Sequence, residues 1–230
     1  MPPAIRSISL IEDDDYFYEL LRHRPREKSK GFAADMATIS QMIEHFSVAF
    51  RIEALDFFSY YEVLLGEKDN NDRAGPPPLL ETLALTSGAL VPNDPSEVSK
   101  LLRAAAIVAA RMPRLQVLEL WNGSPDWFAI FRYERDSDGN ATLTWHASWN
   151  PWCLLEMTGL WEKVAMQYHE CSRFRVKEKY TLDPPVSPLA VMQHLKLRNR
   201  VVHPPSLYQI QREVEATYDD LAWMASYHIP

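Results

Sequence analysis

Leu80-Glu81-Thr82-Leu83-Ala84-Leu85 and Leu115-Gln116-Val117-Leu118-Glu119-Leu120 share the spacing L-x-x-L-x-L and stand towards the two ends of residues 80–122. Between them, Asn93-Asp94-Pro95-Ser96 carries helix-capping chemistry. A short polar side chain there, Asp94 or Ser96, can accept from a free N–H of the first turn, and Glu97 suits its positive end. Val98, Leu101, Leu102, Ala105, Val108, Ala109 and Met112 follow at three- and four-residue steps, the helical period. Ala104, Ala105, Ala106, Ala109 and Ala110 permit close approach to a sheet, and Pro113 ends the run. The stretch reads as strand, loop, helix, strand.

The strand spacing recurs. It starts at Ile5, Ile43, Leu80 and Leu115, in steps of 38, 37 and 35 residues, with weaker matches starting at Cys171 and Met192. The step from 115 to 171 is 56 residues, and removing the 24 residues of 126–149 leaves 32. Those 24 residues read as a hairpin of two alternating strands joined at Asp138-Gly139. A near-constant period predicts an α/β fold in the form of a short leucine-rich-repeat-like solenoid. It has a parallel sheet, outer helices and one inserted β-hairpin. Residues 1–230 form one domain. It comprises an irregular first repeat (1–42), the best-formed repeats (43–125), the hairpin (126–149), and C-terminal repeats with a capping helix (150–230). Leu195-Lys196-Leu197 is expected to be a short strand and 205–227 the closing helix.

Alternate strand residues share a face. The fourth and sixth motif positions are expected to point into the core. The third, fifth and seventh point the other way: Ser7, Ser9, Ile11; His45, Ser47, Ala49; Thr82, Ala84, Thr86; Val117, Glu119, Trp121.

Composition narrows the function. Hydrophobic residues are 47% and charged residues 24%, enough for a sizeable core. The net charge of −7 disfavours nonspecific nucleic-acid binding and anionic membrane surfaces, both of which need a positive field. No apolar run reaches the roughly 18 residues of a membrane helix. Two cysteines, Cys153 and Cys171, and an N-terminus without an apolar leader suggest an intracellular, cytoplasmic or nuclear setting.

No catalytic or metal motif stands out. His146, Cys153, His169 and Cys171 lack the C-x-x-C pairing of a zinc knuckle. The acidic run 12–15 lacks the glycine of a calcium loop, and no P-loop, G-x-S-x-G or G-x-G-x-x-G is present. The expectation is therefore a non-enzymatic domain without cofactor or metal. An alternative is a ligand-binding or hydrolase-like α/β domain, which needs titratable groups to converge around Asp13, His146 or His169. A third possibility is a scaffold with no activity of its own.

The chain resembles leucine-rich-repeat domains, and more narrowly the C-terminal region of F-box-type proteins of filamentous fungi. The resemblance rests on Leu80-Glu81-Thr82-Leu83-Ala84-Leu85-Thr86-Ser87, on residues 104–120 with Met112-Pro113-Arg114-Leu115, and on Trp121-Asn122-Gly123. Phe131-Arg132-Tyr133 with Trp145, and Leu195-Lys196-Leu197 through His203-Pro204-Pro205-Ser206-Leu207, complete it. No F-box, a helical segment opening with Leu-Pro, is read near the N-terminus, and Asn122 sits one place early for a repeat asparagine. The resemblance implies recognition of a protein partner, such as substrate recruitment to a ubiquitin ligase. On the sheet face His45, Thr82, Glu119 and Trp121 are the expected partner-binding residues, with Trp127 and Trp145 of the hairpin as an aromatic hot spot.

Overall fold

A computed structural model describes residues 5–11, 30–69, 77–124, 126–150, 154–181 and 188–202, with positions 206, 208 and 212. The expected closing helix, the acidic run 12–15, Asp13 and Cys153 lie outside the described residues or almost wholly so.

The elements are β1 (Ser7–Ile11), α1 (Lys30–Ser40), β2 (His45–Ala49), α2 (Ala54–Asp69), β3 (Thr82–Thr86), α3 (Pro95–Ala109) and β4 (Val117–Gly123). Then come β5 (Phe128–Arg135), β6 (Asn140–Ala147), α4 (Leu154–Lys163), β7 (Arg173–Tyr180) and α5 (Arg198–Val201). A π-helical turn, Val164–Tyr168, extends α4, and a 3-10 segment, Pro188–His194, precedes α5. No helix among the described residues is long and apolar enough to cross a membrane.

The seven strands form one mostly parallel sheet, and their spatial order is their chain order, β1 to β7. β1 to β4 pair in parallel through helical crossovers. The register aligns motif with motif: Phe46 lies beside Leu83, and Leu83 beside Leu118. Helix α3 starts where the capping pattern places it, with the Asp94 carboxylate accepting from Glu97 N–H at 3.1 Å and Pro95 in the first turn.

The hairpin is part of the sheet. β4–β5 and β5–β6 are antiparallel, and the two reversals restore the original direction, so β7 pairs with β6 in parallel through α4. Asp136 shapes the tight turn by accepting from Asp138 N–H (3.0 Å) and Asn140 N–H (2.8 Å), while Gly139 takes φ +75°.

Helices α1 to α4 all pack on one face. Phe46, Val48, Leu83, Leu85, Leu118, Leu120, Phe131, Tyr133, Leu143 and Trp145 point into that core, as the fourth and sixth motif positions require. Phe57, Tyr61, Leu101, Leu102, Ala105 and Trp161 meet them from the helices. Burial of this order, at about 25 cal/mol per Å² of apolar surface, is the main favourable term in folding.

The opposite face corrects a sequence expectation. Leu195-Lys196-Leu197 is no strand. Residues 188–202 run across the sheet as a strap, and Val191, Met192, Leu195, Leu197, Val201 and Val202 bury themselves on Ala49, Ala84, Val117, Trp121, Phe128 and Ile130. The approach is close enough that a Cβ on Gly123 would overlap a Val191 methyl.

Candidate functional site

The four residues expected on one accessible sheet face, His45, Thr82, Glu119 and Trp121, do not form one, and of the two hairpin tryptophans expected as a hot spot Trp145 is buried. His45 and Thr82 are half-buried register neighbours, linked Nδ1 to Oγ1 at 3.0 Å. Glu119 and Trp121 are fully buried (0% exposed) beneath the strap. Trp145 is also 0% exposed, on the helix side of β6, edge-on to Trp149 with ring centroids 5.0 Å apart. Trp127 is half-buried just before β5. The physical reason is the apolar floor. Val117, Trp121, Phe128 and Ile130 would leave a large exposed apolar patch, and the strap covers it.

Glu119 fixes the strap in place. Its carboxylate accepts from Arg132 Nε (2.5 Å) and from the backbone N–H groups of Lys196 and Leu197 (both 2.8 Å). Arg132 Nη2 donates in turn to the His194 carbonyl at 2.9 Å, and Ser9 Oγ to the Val201 carbonyl at 2.9 Å. A buried carboxylate needs this degree of satisfaction, since an unpaired charge there is costly.

Beyond the strap the same face stays open. The register sets Thr142 beside Arg175, Thr144 beside Lys177 and His146 beside Lys179. Arg173, Arg175, Lys177 and Lys179 alternate along β7, so all share this face, and every one is exposed. Among the described residues none of these cations forms an ion pair; Lys196 pairs with Glu134 (3.2 Å) and Arg132 with Glu119. Phe174, Val176, Glu178 and Tyr180 point to the helix side. The result is a row of positive charge over a threonine floor.

The two histidines expected to mark an alternative site lie on opposite faces. His146, on the strap side, packs against Phe128 (5.0 Å) and His194 (5.2 Å) and meets Thr181 Oγ1 at 3.0 Å. Burial, aided by Lys179, drives its pKa down to about 4. His169, on the helix side, places Nε2 3.0 Å from the Ala109 carbonyl, so that nitrogen carries the proton. Its Nδ1 then accepts from the Tyr133 hydroxyl at 2.7 Å. Burial and Arg135 lower its pKa to about 4, so the ring is neutral.

Cys171 shares a cavity of about 390 Å³ with His169 and Arg135. Burial pushes its thiol pKa up, the reverse of an activated nucleophile. Arg135 spends its donors on the carbonyls of Leu115 (2.5 Å), Pro113 (3.0 Å) and His169 (3.5 Å). This cluster holds α3, β5 and the π-turn together. Among the described residues, no group of three or more His, Cys, Asp or Glu side chains is placed to hold a metal.

The cationic row is absent from the residues expected to bind, although Arg173-x-Arg175-x-Lys177-x-Lys179 displays it at strand period. No curated protein and no solved structure matches the chain. A family model described as "Family of unknown function (DUF6546)" matches residues 1–203, and the chain, with its strapped sheet and cationic last strand, belongs to that family.

Proposed function

We propose that this chain is a non-enzymatic protein-recognition domain, built as a short leucine-rich-repeat-like solenoid, and that it binds through the open face of β6 and β7. The solenoid reading is supported by strands laid down in chain order and by helices that all pack on one side. The binding reading is carried by one observation: the exposed row Arg173, Arg175, Lys177 and Lys179, which forms no ion pair among the described residues. On a chain of net charge −7, such a concentration of one sign marks a site for an opposite charge.

The partner that suits it is an acidic protein surface. Single-stranded nucleic acid is recognised by stacking as well as charge. Phe174 and Tyr180 point away from this row, and the His146 ring beside Lys179 is buried against Phe128 and His194, which leaves Thr142 and Thr144 as its accessible floor. In the F-box-type setting implied by the resemblance, the acidic partner is a substrate brought to a ubiquitin ligase.

Fluorescence anisotropy tests the reading, with polyglutamate and a single-stranded oligonucleotide of equal charge as probes. The wild type binds polyglutamate more tightly than the oligonucleotide, and Arg175→Glu with Lys177→Glu weakens the former by about tenfold. Unchanged affinity in the variant, or a preference for the oligonucleotide, refutes it.

A further inference from the structure

The cationic row lies on the last strand of the sheet, and β7 has a second unpartnered feature. Its neighbour on one side is β6, and among the described residues nothing pairs with its other edge. Thr181 N–H donates to the Ala147 carbonyl at 3.1 Å, which shows which way the backbone of odd-numbered residues points: towards β6. Strand alternation then turns the N–H and C=O groups of Phe174, Val176, Glu178 and Tyr180 outward.

Resting on the cationic-face reading and sharpening it, we infer that β7 takes a partner by strand addition. The ligand is an extended acidic segment of another protein that hydrogen-bonds to the free edge of β7. Its alternate carboxylates lie beside Arg173, Arg175, Lys177 and Lys179.

The row also explains why a second copy of the chain is the wrong occupant. Sheet edges invite self-pairing, and lysines there oppose it. Two β7 edges brought together in antiparallel pairing set cations against cations on the shared face. The same row that repels a copy of itself complements a strand with Glu or Asp at every second position. Edge protection requires charge on an exposed edge but no particular spacing or face. Here the cation alternates along the whole of β7 and always on the side the strap leaves open. Backbone bonds supply affinity in this mode and the alternating charges select the partner.

The test uses the whole chain and a synthetic peptide of alternating Glu and Thr, as long as β7. Its control has identical side chains with every amide nitrogen methylated, which keeps the charge and removes the backbone donors. Anisotropy reports affinity, and amide hydrogen exchange reports the edge. Strand addition predicts that methylation weakens binding at least about tenfold. It also predicts that the peptide protects the amides of Phe174, Val176, Glu178 and Tyr180. Val176→Pro removes an outward donor without touching the β6 ladder, and it reproduces the loss with all four cations still present. If both peptides bind equally and those amides exchange as before, strand addition is wrong while the cationic-face reading stands. If neither peptide binds, both are wrong.

Discussion

Replacing Glu119 with Ala isolates the contact that holds the strap. The carboxylate is fully buried and accepts three donors: Arg132 Nε at 2.5 Å, and the N–H groups of Lys196 and Leu197 at 2.8 Å. Hydrogen bonds to a charged group contribute about 1.5–3 kcal/mol each. Arg132 keeps its bond to the His194 carbonyl and its side chain retains 18% exposure, so water recovers part of its share. The two backbone donors are the strap's own, and that of Leu197 is buried with no such recourse. Removing one partner of a buried pair costs about 3–5 kcal/mol, and that range applies here. At about 2–4 °C per kcal/mol for a chain of this size, the midpoint of thermal unfolding falls by about 6–20 °C. Urea denaturation gives the free energy. Amide exchange gives the location, since Lys196 and Leu197 lose protection first. A loss below about 1 kcal/mol, with both amides still protected, refutes the claim that Glu119 anchors the strap.

Much of the fold was legible because it is local and periodic. The L-x-x-L-x-L spacing places Phe46, Leu83 and Leu118 in one core row, and Asp138-Gly139 marks the hairpin turn. The placement of the strap was not legible. Val191 and Met192 lie on a short 3-10 segment whose local pattern can be read, but the floor on which they, Leu195 and Leu197 bury is supplied by β2 to β5. Reading Met192-x-x-Leu195-x-Leu197 as another repeat therefore misplaced the open surface. It left Glu119 and Trp121 as expected partner residues when tertiary packing seals both. The cationic row was visible in the sequence, but a whole-chain charge of −7 conceals a local excess of the other sign.

Three further outcomes follow from the geometry. Gly123→Ala drives a Cβ into Val191 and costs about 1–3 kcal/mol; adding Val191→Ala recovers part of it, and additive losses in urea denaturation contradict the close approach. His146 and His169, with pKa values near 4 in the folded chain and 6.5 when unfolded, are neutral in both states above pH 6.5. As pH falls from 6.5 towards 4 the unfolded chain takes protons that the folded chain refuses, so stability drops by up to about 1.4 kcal/mol per pH unit for each ring. His169→Gln lowers that slope in urea titrations at pH 7, 6 and 5, and an unchanged slope excludes His169 as a source. Replacing Arg173, Arg175, Lys177 and Lys179 together with Thr removes the edge repulsion, and light scattering then detects self-association absent from the wild type.

The strap closes β2–β4, so the proposed recognition surface is the open face of β6 and β7. Chemical-shift mapping of the whole chain during titration with the alternating Glu–Thr peptide locates the site directly. Binding at β6 and β7 puts the largest changes on Thr142, Thr144 and residues 173–180, with His45 and Thr82 unmoved. Changes centred on β2 and β3, with β7 silent, contradict it.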